Sequence, residues 1–170
     1  MQEACTSHPT GPRVEPFRHP AAFRIASRRP GASIADMETR EQIVENWLPR
    51  YTGLPLEKFG QFILLTNFQY YVHLFAQWHN VPVVGADKPM ANATADGVTI
   101  INFGMGSANA ATIMDLLGAV HPKACLFLGK CGGLKDKPAI GDLILPLAAI
   151  RGEGTSNDYF PPEIPALPAF

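Results

Sequence analysis

The chain has 170 residues, 14 Lys and Arg against 15 Asp and Glu, a formal net charge of −1 and 46% hydrophobic residues. That balance predicts a soluble globular domain and offers no basic stripe for a phosphate backbone, so a small molecule is the expected partner and nucleic acid is not. No apolar run reaches the roughly 20 residues of a membrane helix and no apolar h-region opens the chain, so no membrane partner and a cytoplasmic location are expected.

The three cysteines, Cys5, Cys125 and Cys131, are an odd number without paired metal-ligand spacing. Neither a disulfide framework nor a metal site is expected from them. Residues 1–36 hold five Arg, no Lys, two His and five Pro, with no period of 2 or 3.6. Such a stretch buries too little to offset its ordering entropy and reads as a disordered leader. A functional tail, an Arg-rich targeting arm and upstream sequence ahead of a natural start at Met37 are the three readings. The last is favoured, because pattern begins abruptly at that methionine. The domain is then expected over 37–170.

Thr39-Arg-Glu-Gln42 has the form of a capping box, so a helix should start there. Ile43, Val44, Trp47 and Leu48 make an apolar stripe, and Pro49 is expected to end it for want of an amide hydrogen. Phe62-Ile-Leu-Leu-Thr66 is a continuous apolar run of strand length, expected to be covered on both faces. After Asn67, the residues Phe68, Tyr71, Val72 and Phe75 predict a helix ending near Asn80. Val81–Val84 and Val98–Phe103 are further strand candidates, separated by a polar stretch in which Asp87, Asn92 and Asp96-Gly97 carry turn chemistry.

Beyond Phe103 comes Gly104-Met-Gly-Ser-Ala-Asn109, then Ala110, Ile113, Met114 and Leu117 at helical spacing, then the strand run Ala124-Cys-Leu-Phe-Leu128. Glycines at such a turn let backbone approach a ligand, and the helix start offers free amides to an anion. A turn that only packs is the alternative. Asn109 stands where a G-x-G-x-x-G fingerprint has its third glycine, and no acidic residue closes the next strand, which argues against a nicotinamide cofactor. No cofactor is expected.

Leu128 runs into Gly129-Lys-Cys-Gly-Gly133, a second glycine turn at a strand's carboxyl end, and two such turns mark one crevice. Lys130 could pair with a phosphate as a point charge or be a solvated loop lysine. Cys131 has no partner base nearby in sequence and reads as a small wall residue rather than a nucleophile. Gly141-Asp142 is expected to be a turn, and Leu143–Ile150 another buried strand.

The order of strand, Gly104-Met-Gly106, helix, strand, Gly129-Lys-Cys-Gly132 and Ile140-Gly-Asp-Leu-Ile-Leu145 resembles the nucleoside phosphorylase superfamily. Within it, Glu45–Gly53, Leu64-Leu-Thr-Asn-Phe68, Gly129–Gly133 and Arg151-Gly-Glu-Gly-Thr-Ser-Asn-Asp-Tyr-Phe160 resemble the AMP nucleosidases, from about Thr39 to Phe170. The resemblance implies a three-layer α/β fold with a mixed central sheet. It also implies hydrolysis of AMP to adenine and ribose 5-phosphate, in the setting of purine nucleotide salvage, by a homo-oligomer, commonly a hexamer.

Carried over residue by residue, the resemblance assigns Thr66 and Asn67 to a phosphate-binding turn. It places Met105 of the Gly104-Met-Gly106 turn against the ribose, and Cys131 and Gly132 beside the base. Phe127 and Lys130 stand where phosphorylases of the superfamily carry an arginine and a serine for the attacking phosphate. Loss of the guanidinium fits water as nucleophile, with Lys130 free to serve the substrate's own phosphate. Cleavage through an oxocarbenium-like ribosyl cation needs an acid for the leaving purine and a carboxylate for the ribose hydroxyls. The family carries both in a C-terminal part whose motifs do not occur before Phe170. Glu153 and Asp158 are expected to be solvated loop carboxylates. The chain is accordingly expected to be an incomplete domain with little turnover. A phosphate-dependent purine nucleoside phosphorylase and a non-catalytic nucleotide-binding remnant are the alternatives.

Overall fold

Three α-helices and four strands are interspersed along the described residues, 38–134 and 138–168, of the computed structural model. Expectations for residues 1–36 lie outside the described residues. Helix α1 (Arg40–Thr52) starts on the capping box that the sequence predicts. Thr39 Oγ1 accepts from the Gln42 amide at 3.3 Å, and Gln42 Oε1 accepts from the Thr39 amide at 2.8 Å.

Pro49 does not end α1, contrary to expectation. The helix runs on to Thr52 and stops at Gly53, whose φ of 70° lets its amide return to the Pro49 carbonyl at 2.7 Å. The amide that Pro49 lacks would have met Glu45, an exposed position whose carbonyl water can satisfy. The buried stripe is correspondingly shifted. Leu48 and Thr52 are fully buried with Val44 and Tyr51 packed alongside, whereas Ile43 and Trp47 stay about two-fifths exposed.

Strands β1 (Phe62–Thr66), β2 (Asn92–Ala95), β3 (Val98–Asn102) and β4 (Ala124–Leu128) form one mixed sheet in the order β2-β3-β1-β4. β1 runs parallel to β3 and β4, and β2 runs antiparallel to β3. Successive β1 side chains alternate between faces. Ile63 and Leu65 enter a core with Leu48, Ile101, Phe103, Ile113 and Leu116, under α1 and helix α3 (Ser107–Leu116). Leu64 faces the second core, where Val72 and Ala76 of helix α2 (Gln69–His79) meet Ala93 and Ile100. Helix, sheet and helix make the three layers expected, and the uninterrupted apolar run of β1 follows from being covered twice.

Three expectations are corrected. Val81–Val84 is not a strand; only Val84 makes a bridge, to Asn92. Asn92 is not a turn residue but the buried start of β2, where its side chain rather than its backbone carries the information. Asp96-Gly97 is the turn, with φ of 50° and 77°, the left-handed pair that a tight hairpin needs. Leu143–Ile150 forms no strand ladder among the described residues, Ala149 alone bridging to Ala166. Leu143 and Ile150 are almost wholly exposed. An apolar run signals a wish for burial, but a strand also needs an edge to pair with. The expected turn at Gly141-Asp142 does form, with Asp142 Oδ2 accepting from the Ala139 amide at 2.9 Å. No helix among the described residues is long and apolar enough to cross a membrane.

Candidate functional site

The three parallel strands end level with one another. Thr66 pairs with Asn102 on one side and with Leu128 on the other, so the turns after β1, β3 and β4 open on one edge of the sheet. The two glycine turns flank β1 rather than adjoin, which brings the Thr66-Asn67 turn between them. In an open α/β sheet this carboxyl edge is where ligands bind.

Thr66 is fully buried, and its Oγ1 accepts from the Phe68 amide at 3.2 Å, so the hydroxyl shapes the turn. Asn67 is different. Its Oδ1 is buried without a hydrogen-bond partner, an acceptor left open at the strand edge. Phe68 precedes α2 and Gly106 precedes α3, and neither helix has a side-chain cap. Two helix starts therefore leave first-turn amides and positive dipole ends at the same edge.

Gly104 and Gly106 have φ of 82° and 96°, which only glycine adopts without strain. Asn102 Oδ1 accepts from the Gly104 amide at 3.0 Å while its Nδ2 donates to Gln69 Oε1 at 2.8 Å, tying the β3 turn to α2. Asn109 Nδ2 donates to the Met105 carbonyl at 3.0 Å and closes the loop from the other side. Met105 itself is 79% exposed. The sequence alone points to neither Asn102 nor Gln69, and to Asn109 only as the break in a glycine fingerprint; the signal available is an amide side chain at the last strand residue, where a turn must be held.

Lys130 reaches from the turn after β4 to the start of α2, with Nζ 4.6 Å from the Phe68 ring centre and 5.5 Å from that of Tyr71. Phe127 lies against Phe103 with ring centres 5.8 Å apart, and a Cβ at Gly129 would stand 2.8 Å from the Phe127 ring. A side chain at Gly129 would therefore have to move the exposed Phe127 ring from this position. Cys131 and Gly132 follow in the same exposed turn, and no side-chain hydrogen bond among the described residues ties them to the other two turns. The edge thus gathers Thr66, Asn67, Gly104, Met105, Gly106 and Lys130, with Cys131 and Gly132 at its margin.

The segment after Ile150 straps across α3. Arg151 donates to the Ser156 carbonyl at 2.9 Å and to the carbonyls of Phe160 and Pro161. Ser107 and Thr155 hydroxyls meet at 2.8 Å, and Tyr159 donates to Asp115 at 2.9 Å. Between strap and helix is a cavity of about 570 Å³, walled by Met114, Phe160, Ile164 and Leu167 among others. Its walls are largely apolar; both Nη atoms of Arg151 beside it are spent on carbonyls, while the buried Nε has no partner among the described residues. Glu153 accepts from the amide and hydroxyl of Ser156, the hydroxyl bond foremost, and its carboxyl is held below the ordinary glutamate range. That suits an ionised cap rather than a proton donor. Among the described residues no three His, Cys, Asp or Glu gather closely enough to hold a metal ion.

A mixed sheet as the middle of three layers, with glycine turns and uncapped helix starts at its carboxyl edge, defines an α/β domain whose strand edge is the place where such folds take small ligands. The Phosphorylase superfamily model matches residues 61–170, and the chain belongs to that superfamily. The AMP nucleosidase of Escherichia coli is 30% identical over 155 aligned residues, covering 69% of this chain and 32% of that protein. The crystal structure of AMP nucleosidase from Bacteroides thetaiotaomicron superposes with a TM-score of 0.72 at 65% identity, over 78% of this chain and 56% of that one. A uridine phosphorylase from Vibrio fischeri superposes with a TM-score of 0.59 at 21% identity and shares the fold. The chain spans about a third of the length of the curated AMP nucleosidases it matches.

Proposed function

We infer that this chain is the substrate-binding part of an AMP nucleosidase, which takes AMP and water to adenine and ribose 5-phosphate. The observation that carries this reading is the 65% identity to a solved AMP nucleosidase over 78% of the chain. In the reaction the bond from C1′ to N9 breaks, the water oxygen bonds to C1′ and the purine leaves with a proton.

The residues of the strand edge divide the binding. Lys130 and the first amides of α2 face the 5′-phosphate, where charge and dipole both favour an anion. Met105 packs on the ribose, the Asn67 side-chain oxygen accepts a hydrogen bond from a hydroxyl, and Cys131 with Gly132 borders the base. Phe127, turned against Phe103, puts a ring where a guanidinium would serve an attacking phosphate. Water is then the nucleophile. The same reading makes the protein a cytoplasmic homo-oligomer of adenine nucleotide salvage.

The test is adenine release from AMP and from adenosine, each with and without inorganic phosphate, by the protein that carries this chain. Release from AMP in the absence of phosphate is expected. Release that requires inorganic phosphate, or that prefers adenosine, overturns the reading in favour of phosphorolysis.

A further inference from the structure

An exposed lysine ordinarily spreads over many rotamers, but Lys130 is confined against two ring faces. Phe68 and Tyr71 stand edge to face, their centres 5.6 Å apart, and form one notch at the start of α2. The ammonium sits over both rings, and none of the ion pairs among the described residues involves it. Ring faces attract a cation without accepting its hydrogens as a carboxylate would. The N–H donors on the far side stay available.

Two groups at the same strand end are also unsatisfied. No side chain caps the first amides of α2, and the neighbouring Asn67 Oδ1 is a buried acceptor without a donor. A ligand with both phosphate oxygens and a hydroxyl meets both needs at once. We propose that Phe68 and Tyr71 are positioning residues that select a sugar phosphate monoester by holding the Lys130 ammonium at the carboxyl end of β1. The naming of a sugar phosphate rests on the AMP reading above, but the test needs no turnover.

Calorimetry on the protein that carries this chain compares ribose 5-phosphate, ribose and inorganic phosphate, with Lys130→Gln, Phe68→Leu, Phe68→Tyr and Tyr71→Leu as variants. The unaltered chain is expected to prefer ribose 5-phosphate to ribose, and Lys130→Gln to lose that preference. Phe68→Leu should weaken ribose 5-phosphate by about threefold to tenfold and leave ribose unchanged, whereas Phe68→Tyr, which keeps a ring face, retains the affinity. A merely structural phenylalanine would affect both ligands alike. Should Phe68→Leu fail to melt cooperatively, Tyr71→Leu carries the same comparison.

No binding of ribose 5-phosphate, equal losses for the two sugars, or unchanged affinity in both leucine variants overturns the proposal. Inorganic phosphate binding as tightly, with the same dependence on Phe68, overturns it too, since the notch would then serve a free anion. If these binding results hold while AMP releases no adenine, the substrate reading falls and the notch stands.

Discussion

Asn92 Nδ2 donates to the carbonyl of Thr52 at 2.8 Å, joining the first residue of β2 to the last of α1 across 40 positions of sequence. Both residues are fully buried. A carbonyl at a helix end has no intrahelical donor, so the asparagine supplies the partner that water cannot. The same amide also donates to the Met90 carbonyl at 3.1 Å. Asn92→Ala should therefore destabilise the fold by about 2 kcal/mol, because it strands buried carbonyls as well as removing packing. Asn92→Asp should cost more at neutral pH, since it sets a carboxylate against the oxygens it faces. Urea unfolding measures both, and an alanine variant within about 0.5 kcal/mol of the parent would show the bond to be dispensable.

Gly106 combines φ of 96° with ψ of 157°, a region in which side chains other than hydrogen are strained. A Cβ there would meet nothing within 4 Å, so Gly106→Ala isolates backbone strain from crowding. A loss of about 1–3 kcal/mol is expected. Because this turn aims the start of α3 at the strand edge, AMP affinity should fall even at a temperature where the variant remains folded. Paired melting and calorimetry separate the two effects; unaltered affinity in a destabilised variant would detach the turn from the site.

How far the sequence disclosed this structure depends on where each signal resides. β1 and β4 have the bounds read from their apolar runs, because both lie between sharp turns and are bounded locally. The end of α1 was misread at Pro49 because local chemistry says stop, while Gly53 and the packing of Leu48 and Thr52 carry the helix one turn further. Asn92 resembled a turn residue because its bond to Thr52 is invisible in sequence. Leu143–Ile150 has strand character without a strand's partner. At the site, the Gly104-Met-Gly106 turn is legible because only glycine tolerates its φ, whereas no glycine of the Gly129–Gly133 turn has a positive φ. The spacing of Phe68 and Tyr71 reads as a helix's apolar stripe, and nothing in it announces a lysine about 60 residues on, since a cation over a ring is a tertiary fact.

Glu153 offers a pH test of the strap. The Ser156 hydroxyl foremost, and then its amide, hold the carboxyl below its ordinary range, so the folded state favours the ionised form. A depressed folded value gives stability that is full above the unfolded glutamate pKa, roughly 4.3, and is lost as pH falls through the lower folded value. Glu153→Gln should thus flatten the acid limb of stability below that pH and change little at neutrality beyond the loss of the cap. The site is fully exposed, so the effect is expected to be small. Melting temperature followed from neutral pH to pH 3 reads it, and parallel acid limbs in parent and variant would remove Glu153 from the account.

β4 pairs with β1 on one side only among the described residues, and Leu126 and Phe127 on it are more than half exposed. An edge that presents unpaired amides and carbonyls beside apolar side chains is a template for another chain. Natural edges are protected by a charge, most often a lysine, which cannot be buried against an incoming strand. Leu126→Lys should consequently reduce self-association of the chain without unfolding it, since a side chain already 56% exposed contributes little to the core. Phe127 is a poorer choice for this purpose because its ring lies over Gly129 beside the candidate site. Sedimentation velocity across a concentration series distinguishes the outcomes. A lysine variant that associates as the parent does would move the contact away from β4, and the exposed run from Leu143 to Ile150 would be the next surface to charge.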